Sequence, residues 1–362
     1  MMRVYDGSNG AQGLVELASG IDALYLSGRA ALGAAFLERL AAARGKAESS
    51  GGSDSVSIGG VEFEVASHGM GRYRYCLSHR YGQVGVSPST HLPGLRVQPR
   101  TEFLHGLGVR EACSWFMAVL GEEVGACVFT VSRLDLYADV QGWCPTGDDR
   151  HRFVCRGRTL ETYEDGGELT GFSFGRRKTG TITARIYEKT RDAEHKGADF
   201  WADVWGEALD PAQPVFRVEF ELARTVLREY GMSTLEEVLA AVPALWSSVT
   251  SEWLTYRSPT GDQTRARWPV APEWQAVQRA RLGEGAFGVE RMYDGRTRGS
   301  VRRLIGPLSG WVAHYGALVG TDGIAATCEQ LALSLRDWEI ASRRSFPDRI
   351  AEWRAKEAAR HG

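Results

Sequence analysis

Three short segments carry polar residues in positions where chemistry is the simplest reason for them. The first is Ser132-Arg133-Leu134-Asp135-Leu136-Tyr137-Ala138-Asp139-Val140. Successive side chains of a strand point to opposite faces. Leu134, Leu136 and Ala138 therefore share one face, and Arg133, Asp135, Tyr137 and Asp139 the other. The second is Phe216-Arg217-Val218-Glu219-Phe220-Glu221-Leu222, with Arg217, Glu219 and Glu221 on one face. Asp is depleted in strands. If the two strands are neighbours, Asp135, Asp139, Glu219 and Glu221 converge. Clustered carboxylates repel unless a cation or a proton sits among them, and hard oxygen ligands of this kind suit Mg²⁺ or Mn²⁺. The competing reading is a solvated sheet face on which Arg133 and Arg217 pair with the acids across strands. Asp135 and Asp139 lie about 13 Å apart along an extended strand at about 3.3 Å per residue, so one ion reaches both only if the strand bends.

The third segment, Ala184-Arg185-Ile186-Tyr187-Glu188-Lys189, puts Arg185, Tyr187 and Lys189 on one face. A phenol with a pKa of about 10 is a poor nucleophile at neutral pH. Adjacent cations favour its phenolate and hold a phosphate beside it. Just upstream, Arg176-Arg177-Lys178 stand at a Gly-bracketed turn, a natural phosphate contact. Residues 150–191 hold ten Arg or Lys against five Asp or Glu, so positive charge is concentrated locally. Arg133 and Arg217 extend the basic set expected to face DNA. A solvated hairpin explains the same turn without a ligand, and a tyrosine on a strand is commonly there for packing.

These segments need elements to hold them. Alternation predicts strands around Ile21–Leu26, Val61–Val65, Arg72–Leu77, Arg96–Phe103, Val128–Val140, Phe153–Arg158, Leu169–Phe174, Thr181–Lys189 and Phe216–Leu222. Helical spacing of Leu32, Phe36, Leu37 and Leu40 predicts a helix from Ala30 to about Arg44, and another runs from Gly106 to about Leu120. Ser233 with Glu236 reads as a capping box. Further helices are expected near 305–319, 322–342 and 347–360. Strands with helices at irregular intervals predict an α+β fold around a large, mostly antiparallel sheet. The expected organisation is a strand and helix over 1–45, a flexible Gly/Ser linker over 46–59, an α+β domain over 60–260 completed by residues 20–45, and a helical region over 261–362. Residues 279–303 carry seven arginines among few acids, which suits either a second DNA contact or a solvated loop.

The chain has 362 residues, 43% hydrophobic and 24% charged, with a net charge of −2. That composition excludes a disordered or fibrous chain and a general nucleic-acid coat. No apolar run is long enough for a transmembrane helix, and no secretory leader is visible in MMRVYDGSNGAQG, so a cytoplasmic protein with no membrane contact is expected. Six cysteines form no C-x-x-C pair, and the eight histidines form no H-x-H, which disfavours zinc and His-ligand metal sites.

The order R-L-D-L-x-x-D, then a G-R-R-K turn running into R-I-Y-E-K-T, then F-R-V-E-F, resembles the Rep_trans-type rolling-circle replication initiation factors, plasmid initiators together with related relaxases of integrative and conjugative elements. A Trp-rich stretch from Trp201 to Trp205 and the W-P-x-x-P-x-W of Trp268 to Trp274 resemble its actinobacterial members. The resemblance covers roughly residues 20–275. It implies a curved antiparallel sheet with helices on one face. It implies a DNA nickase whose tyrosine attacks a phosphodiester, leaving a 5′-phosphotyrosine and a free 3′-OH. Tyr187 matches the nucleophile, and Asp135, Asp139 and Glu219 match the acidic metal-site strands, with Glu221 less constrained by the motif. Arg185 and Lys189 would then offset charge on the reacting phosphate, with Mg²⁺ or Mn²⁺ as cofactor. DNA with a hairpin or single-stranded nick site and a host helicase are the implied partners, and a homodimer is compatible with it. A non-catalytic origin-binding protein on the same fold is the alternative. A tyrosine recombinase ranks low, because no H-x-x-R precedes the last tyrosine, Tyr315.

Overall fold

A computed structural model of the chain describes residues 14–176, 181–282, 301–342 and 345–359. The chain forms two compact units that divide at residues 292 and 293. The first begins with β1 (Val15–Arg29), α1 (Ala34–Ser50), β2 (Ser53–Ile58), β3 (Val61–Ala66), β4 (Tyr75–His79), β5 (Gly82–Val86) and β6 (Leu95–Pro99). It continues through α2 (Thr101–Leu107), α3 (Val109–Val124), β7 (Val128–Gln141), β8 (Phe153–Cys155), β9 (Leu160–Asp165), β10 (Glu168–Phe174) and β11 (Ile182–Glu188). Then come α4 (Lys189–Lys196), α5 (Phe200–Trp205), β12 (Phe216–Ala223), α6 (Arg224–Glu229), α7 (Leu235–Ser248), β13 (Leu254–Tyr256) and α8 (Pro272–Gln278). The second unit holds α9 (Val301–Val319), α10 (Ile324–Ser342) and α11 (Phe346–Ala359).

Among the described residues, eleven strands form one sheet in the order β2-β3-β4-β5-β6-β1-β7-β12-β11-β10-β9. Every pairing in it is antiparallel. The fold is thus α+β, as the irregular spacing of strands predicts. β1 and β7 are the long central pair, 15 and 14 residues. Their inward residues, among them Leu24, Leu26, Leu134 and Leu136, are sealed by the main helical layer. α1 contributes Phe36, Leu40, Ala43 and Ala47, a stripe at helical spacing. α3 adds Phe116 and Leu120, and α7 adds Val238, Val242 and Trp246 to the same core. α4 and α5 cover part of the opposite face. There Trp201, Val204 and Trp205 pack on Leu17, Ala18, Tyr137 and Val215 as a second, smaller core. That cover is what takes the polar face of β7 and β12 out of water.

The structure departs from the sequence expectation in several places. Residues 46–59 are not a flexible linker. α1 runs to Ser50, Gly51 closes it in the left-handed conformation at φ 71°, and β2 pairs with β3 along its whole length. Ser53-Asp54-Ser55-Val56-Ser57-Ile58 alternates as an edge strand should, but only Val56 and Ile58 are apolar, so the segment reads as polar coil. The α+β unit also continues past residue 260, because Trp274 is fully buried in it and its indole donates to the Thr250 carbonyl at 2.7 Å. The capping box of α7 sits one residue later than expected. Thr234, in extended backbone, and Glu237 form it, while the Ser233 carbonyl accepts from the Val131 N–H at 2.9 Å. The strand expected over Arg96–Phe103 stops at Pro99 and turns into α2.

In the second unit, α9 and α10 form a hairpin across Gly320 and Gly323, both at positive φ. The Tyr315 hydroxyl donates to the Gln330 carbonyl at 3.0 Å, and the hydroxyls of Thr321 and Thr327 lie 2.7 Å apart. Among the described residues no helix is long and apolar enough to cross a membrane.

Candidate active site

The register of three neighbouring strands brings the three sequence segments together. β7 pairs with β12, and β12 with β11, so Asp139, Arg217 and Tyr187 form one cross-strand row. Tyr137, Glu219 and Arg185 form the next, and Asp135, Glu221 and Thr183 the third. Val218, Phe220, Ile186 and Ala184 alternate onto the main core, so the polar rows all face away from it. Within each of the first two rows a guanidinium lies beside a carboxylate.

Tyr187 lines a cavity of about 580 Å³ together with Arg185, Lys189, Asp22 and Glu219. Its hydroxyl donates to Glu219 Oε2 at 3.0 Å. Arg185 donates to the other oxygen, Glu219 Oε1, so both oxygens of this buried carboxylate are engaged. Burial, with the Glu219 charge behind it, pushes the Tyr187 phenol well above its ordinary range, against the opposing pull of Arg217 and Arg185. Lys189 donates to Asp192 Oδ2 at 2.9 Å, and its ammonium lies 4.8 Å from the Trp201 ring and 5.7 Å from the Tyr187 ring. Burial, and then Arg217, lower the Lys189 pKa from its ordinary value. Gly171 of β10 makes room for the strand that carries Tyr187. A Cβ there would stand 2.5 Å from the Ile186 carbonyl oxygen and 2.9 Å from the Tyr187 Cβ.

Arg217 is not placed to meet DNA. It has no exposed surface, and it donates to Asp139 Oδ1 at 2.7 Å, to Asp139 Oδ2 at 2.8 Å and to Asp22 Oδ1 at 2.5 Å. The rings of Tyr137 and Trp201 lie 4.0 Å from its guanidinium carbon. Asp139 is likewise fully buried and also accepts from the Trp205 indole at 2.8 Å. The pair is therefore a sealed ion pair behind Tyr187. Arg133 also turns to acids, donating to Asp135 Oδ1 at 2.7 Å and reaching Glu221 Oε2 at 3.0 Å. Arg176 is exposed at the end of β10, while Arg177 and Lys178 lie outside the described residues. So does most of 279–303.

The sequence predicts a divalent ion among Asp135, Asp139, Glu219 and Glu221. As arranged, these side chains do not fit one. Arg133, Arg185 and Arg217 take the place that a cation would occupy, and among the described residues no three His, Cys, Asp or Glu are grouped to hold a metal. The repulsion between acids is still visible at Asp135. Burial pushes its carboxyl up to about 7, with Glu219 and Glu221 adding to the rise and Arg133 opposing it.

Several contributors carry little or no signal of their role in the sequence. Asp22 reaches the site because β1 bulges between Ile21 and Ala23. Ile21 and Leu24 both stay in the main core, and the extra residue turns Asp22 to the polar face. An aspartate inside the apolar run Ile21–Leu26 was the only hint. Trp201 and Trp205 enter the sequence reading only through the family resemblance, which says nothing of the cations and acids they cover. His105, buried against Trp201 and Tyr137, has its pKa lowered to about 3 by burial and by Arg217 and Lys189, so it is neutral at physiological pH.

No family model and no curated protein matches the sequence. Among solved structures, a rolling circle replication initiator protein from Geobacillus stearothermophilus is similar. It is 16% identical over 74% of this chain and 98% of that one, with a TM-score of 0.44.

Proposed function

We propose that the protein is a DNA nicking and strand-transfer enzyme that starts rolling-circle replication or conjugative transfer through Tyr187. The observation that carries this reading is the Tyr187 hydroxyl, which donates to a buried Glu219 inside a cavity that also presents Arg185 and Lys189. A phosphodiester entering the cavity meets two cations and a phenol whose proton already has an acceptor.

The chemistry balances with this chain's own groups. The phenolic oxygen forms a bond to phosphorus while the bond from phosphorus to the 3′ oxygen breaks. The phenolic proton passes to Glu219 Oε2. The leaving 3′ oxygen takes a proton from the Lys189 ammonium, whose lowered pKa makes it the better acid. Arg185 offsets negative charge that gathers on the phosphoryl oxygens. The products are a 5′-phosphotyrosine and a free 3′-OH. Because the phenol lies well above neutral pH, the proton must move to Glu219 during attack rather than before it. Arg176, Arg177 and Lys178 would hold the DNA backbone, and a host helicase would act after the nick. Mg²⁺ or Mn²⁺ stays in the proposal as a dependence to be measured, with no step assigned to it.

The test uses supercoiled DNA carrying the gene's own neighbourhood, with either ion or with EDTA. A nicked circle and a protein band shifted by attached DNA are expected, both lost in Tyr187→Phe while DNA binding persists. An adduct formed by Tyr187→Phe would remove Tyr187 as nucleophile. An adduct yield unchanged by EDTA would remove the ion. Binding with no adduct under any condition would leave an origin-binding protein on the same fold.

A further inference from the structure

A second cavity adjoins the first. Its volume is about 380 Å³, and it shares Thr101 and Glu102 as lining residues with the Tyr187 cavity, while Ala23 and Asp22 follow one another along β1 into the two. Its floor is the polar face of β5, β6 and β1. Gln83 and Gln98 are cross-strand partners there, and Tyr25 stands beside them on β1. Arg96 Nε and Nη2 stand 2.9 Å from one end of the Gln98 amide; a guanidinium can only donate, so that end is assigned as the oxygen and the NH₂ end as the one turned away from Arg96. The Gln83 NH₂ lies 3.4 Å from the Ser78 hydroxyl, which directs its carbonyl the other way. The Tyr25 ring has the guanidinium carbon of Arg133 at 5.0 Å and that of Arg96 at 5.5 Å. Arg100 is exposed at the rim.

We propose that this cavity holds one unstacked base of the single strand whose phosphate lies at Tyr187, with Gln83 and Gln98 reading its edge. The inference rests on the nicking reading for the identity of the strand. The chemistry is that of a base. A carbonyl acceptor beside an NH₂ donor matches the neighbouring donor and acceptor on a Watson–Crick edge, and their order separates amino bases from keto bases. The Tyr25 ring and the planar guanidiniums over it together form a flat-walled flank against which a base packs. Arg100 at the rim meets a backbone phosphate. An uncharged amide floor would give a bare phosphate or a carboxylate little to bind.

The probe is a fluorescein-labelled octamer of abasic nucleotides carrying A, C, G, T or nothing at one central position, followed by anisotropy. At least one base should bind about 10-fold more tightly than the all-abasic octamer, and amino and keto bases should differ. In Gln83→Leu/Gln98→Leu the difference between bases should fall below about 2-fold with abasic binding unchanged. Four equal bases, no gain over the abasic octamer, no binding by any probe, or a preference that survives the double substitution would each overturn the proposal. A measurement on the unaltered protein stands beside it. An octamer with 5-iodouracil at the central position should photocrosslink to Tyr25 or to β6, and a crosslink mapped only elsewhere overturns the site. The preference should persist in Tyr187→Phe. Loss of the adduct chemistry with the preference intact would sink the nicking reading alone, and the reverse would sink this cavity alone.

Discussion

At the residue scale, the site is a set of charges that neutralise one another, and its predictions follow from which partner is removed. Glu219→Gln keeps the shape of the side chain but takes away the proton acceptor. Adduct formation should fall by about 10²–10⁴-fold. The residual rate should climb steadily with pH as hydroxide replaces the base, whereas the unaltered protein should show a plateau. A variant with the full rate would mean that the proton goes elsewhere. Arg217→Met leaves Asp139 buried and uncompensated, which costs about 3–5 kcal/mol. Urea denaturation should show that loss, and Arg217→Met/Asp139→Leu should recover much of it. If the single variant is as stable as the parent, the sealed pair does not support the site. Asp135 adds a pH signature. Its carboxyl is raised in the folded state to about 7, above the unfolded value, so the protonated form is favoured by folding. Its stabilising contribution is fully present below about pH 4 and is lost as pH rises through about 7. Thermal midpoints measured from pH 5 to 8 should fall more steeply in the parent than in Asp135→Asn, and equal slopes would refute the assignment.

At the element scale, Tyr187 is held by backbone geometry as much as by side chains. β10 runs close against β11 because Gly171 has no Cβ. Gly171→Ala must push the Ile186 carbonyl or the Tyr187 main chain, a crowding worth about 1–3 kcal/mol. Stability should drop by that amount and adduct formation should drop further, since Tyr187 moves with the strand. Unchanged adduct kinetics would show that this contact does not position the phenol. The bulge in β1 acts in the same way at longer range. It hands Asp22 to Arg217 without disturbing Ile21 or Leu24. α4 and α5 then lay Trp201 and Trp205 over the buried pair, so two short helices convert a sheet face into an interior.

At the scale of the whole molecule, a near-neutral protein can still hold DNA through a local basic surface. Replacing Arg176, Arg177 and Lys178 together should weaken binding at all sequences and flatten its dependence on salt by up to about three units of slope. An unchanged slope would take that turn out of the interface. The eleven-stranded sheet spreads its polar face beyond Tyr187 toward β6 and β5, which is where, on the proposed nicking reading, a strand of DNA would continue from the phosphate at Tyr187.

Although Lys189, expected on the same strand as Tyr187, opens α4, the alternation of residues 132–140, 182–188 and 216–222 was enough to name the three strands and to put Tyr187, Arg185 and Glu219 on the polar face. Those are local properties, because a strand's period of two is written in its own residues. Partner choice is not local. Whether Asp139 faces an ion, water or Arg217 depends on which strand lies alongside and in what register. Whether Arg217 reaches DNA depends on helices ten and more residues upstream in the chain that close over it. Asp22 depends on one extra residue in a ladder. The sequence by itself determined the sheet faces and the chemical groups on them. The tertiary structure decided which arginine lies beside which acid, since only packing sets the distances at which opposite charges satisfy one another.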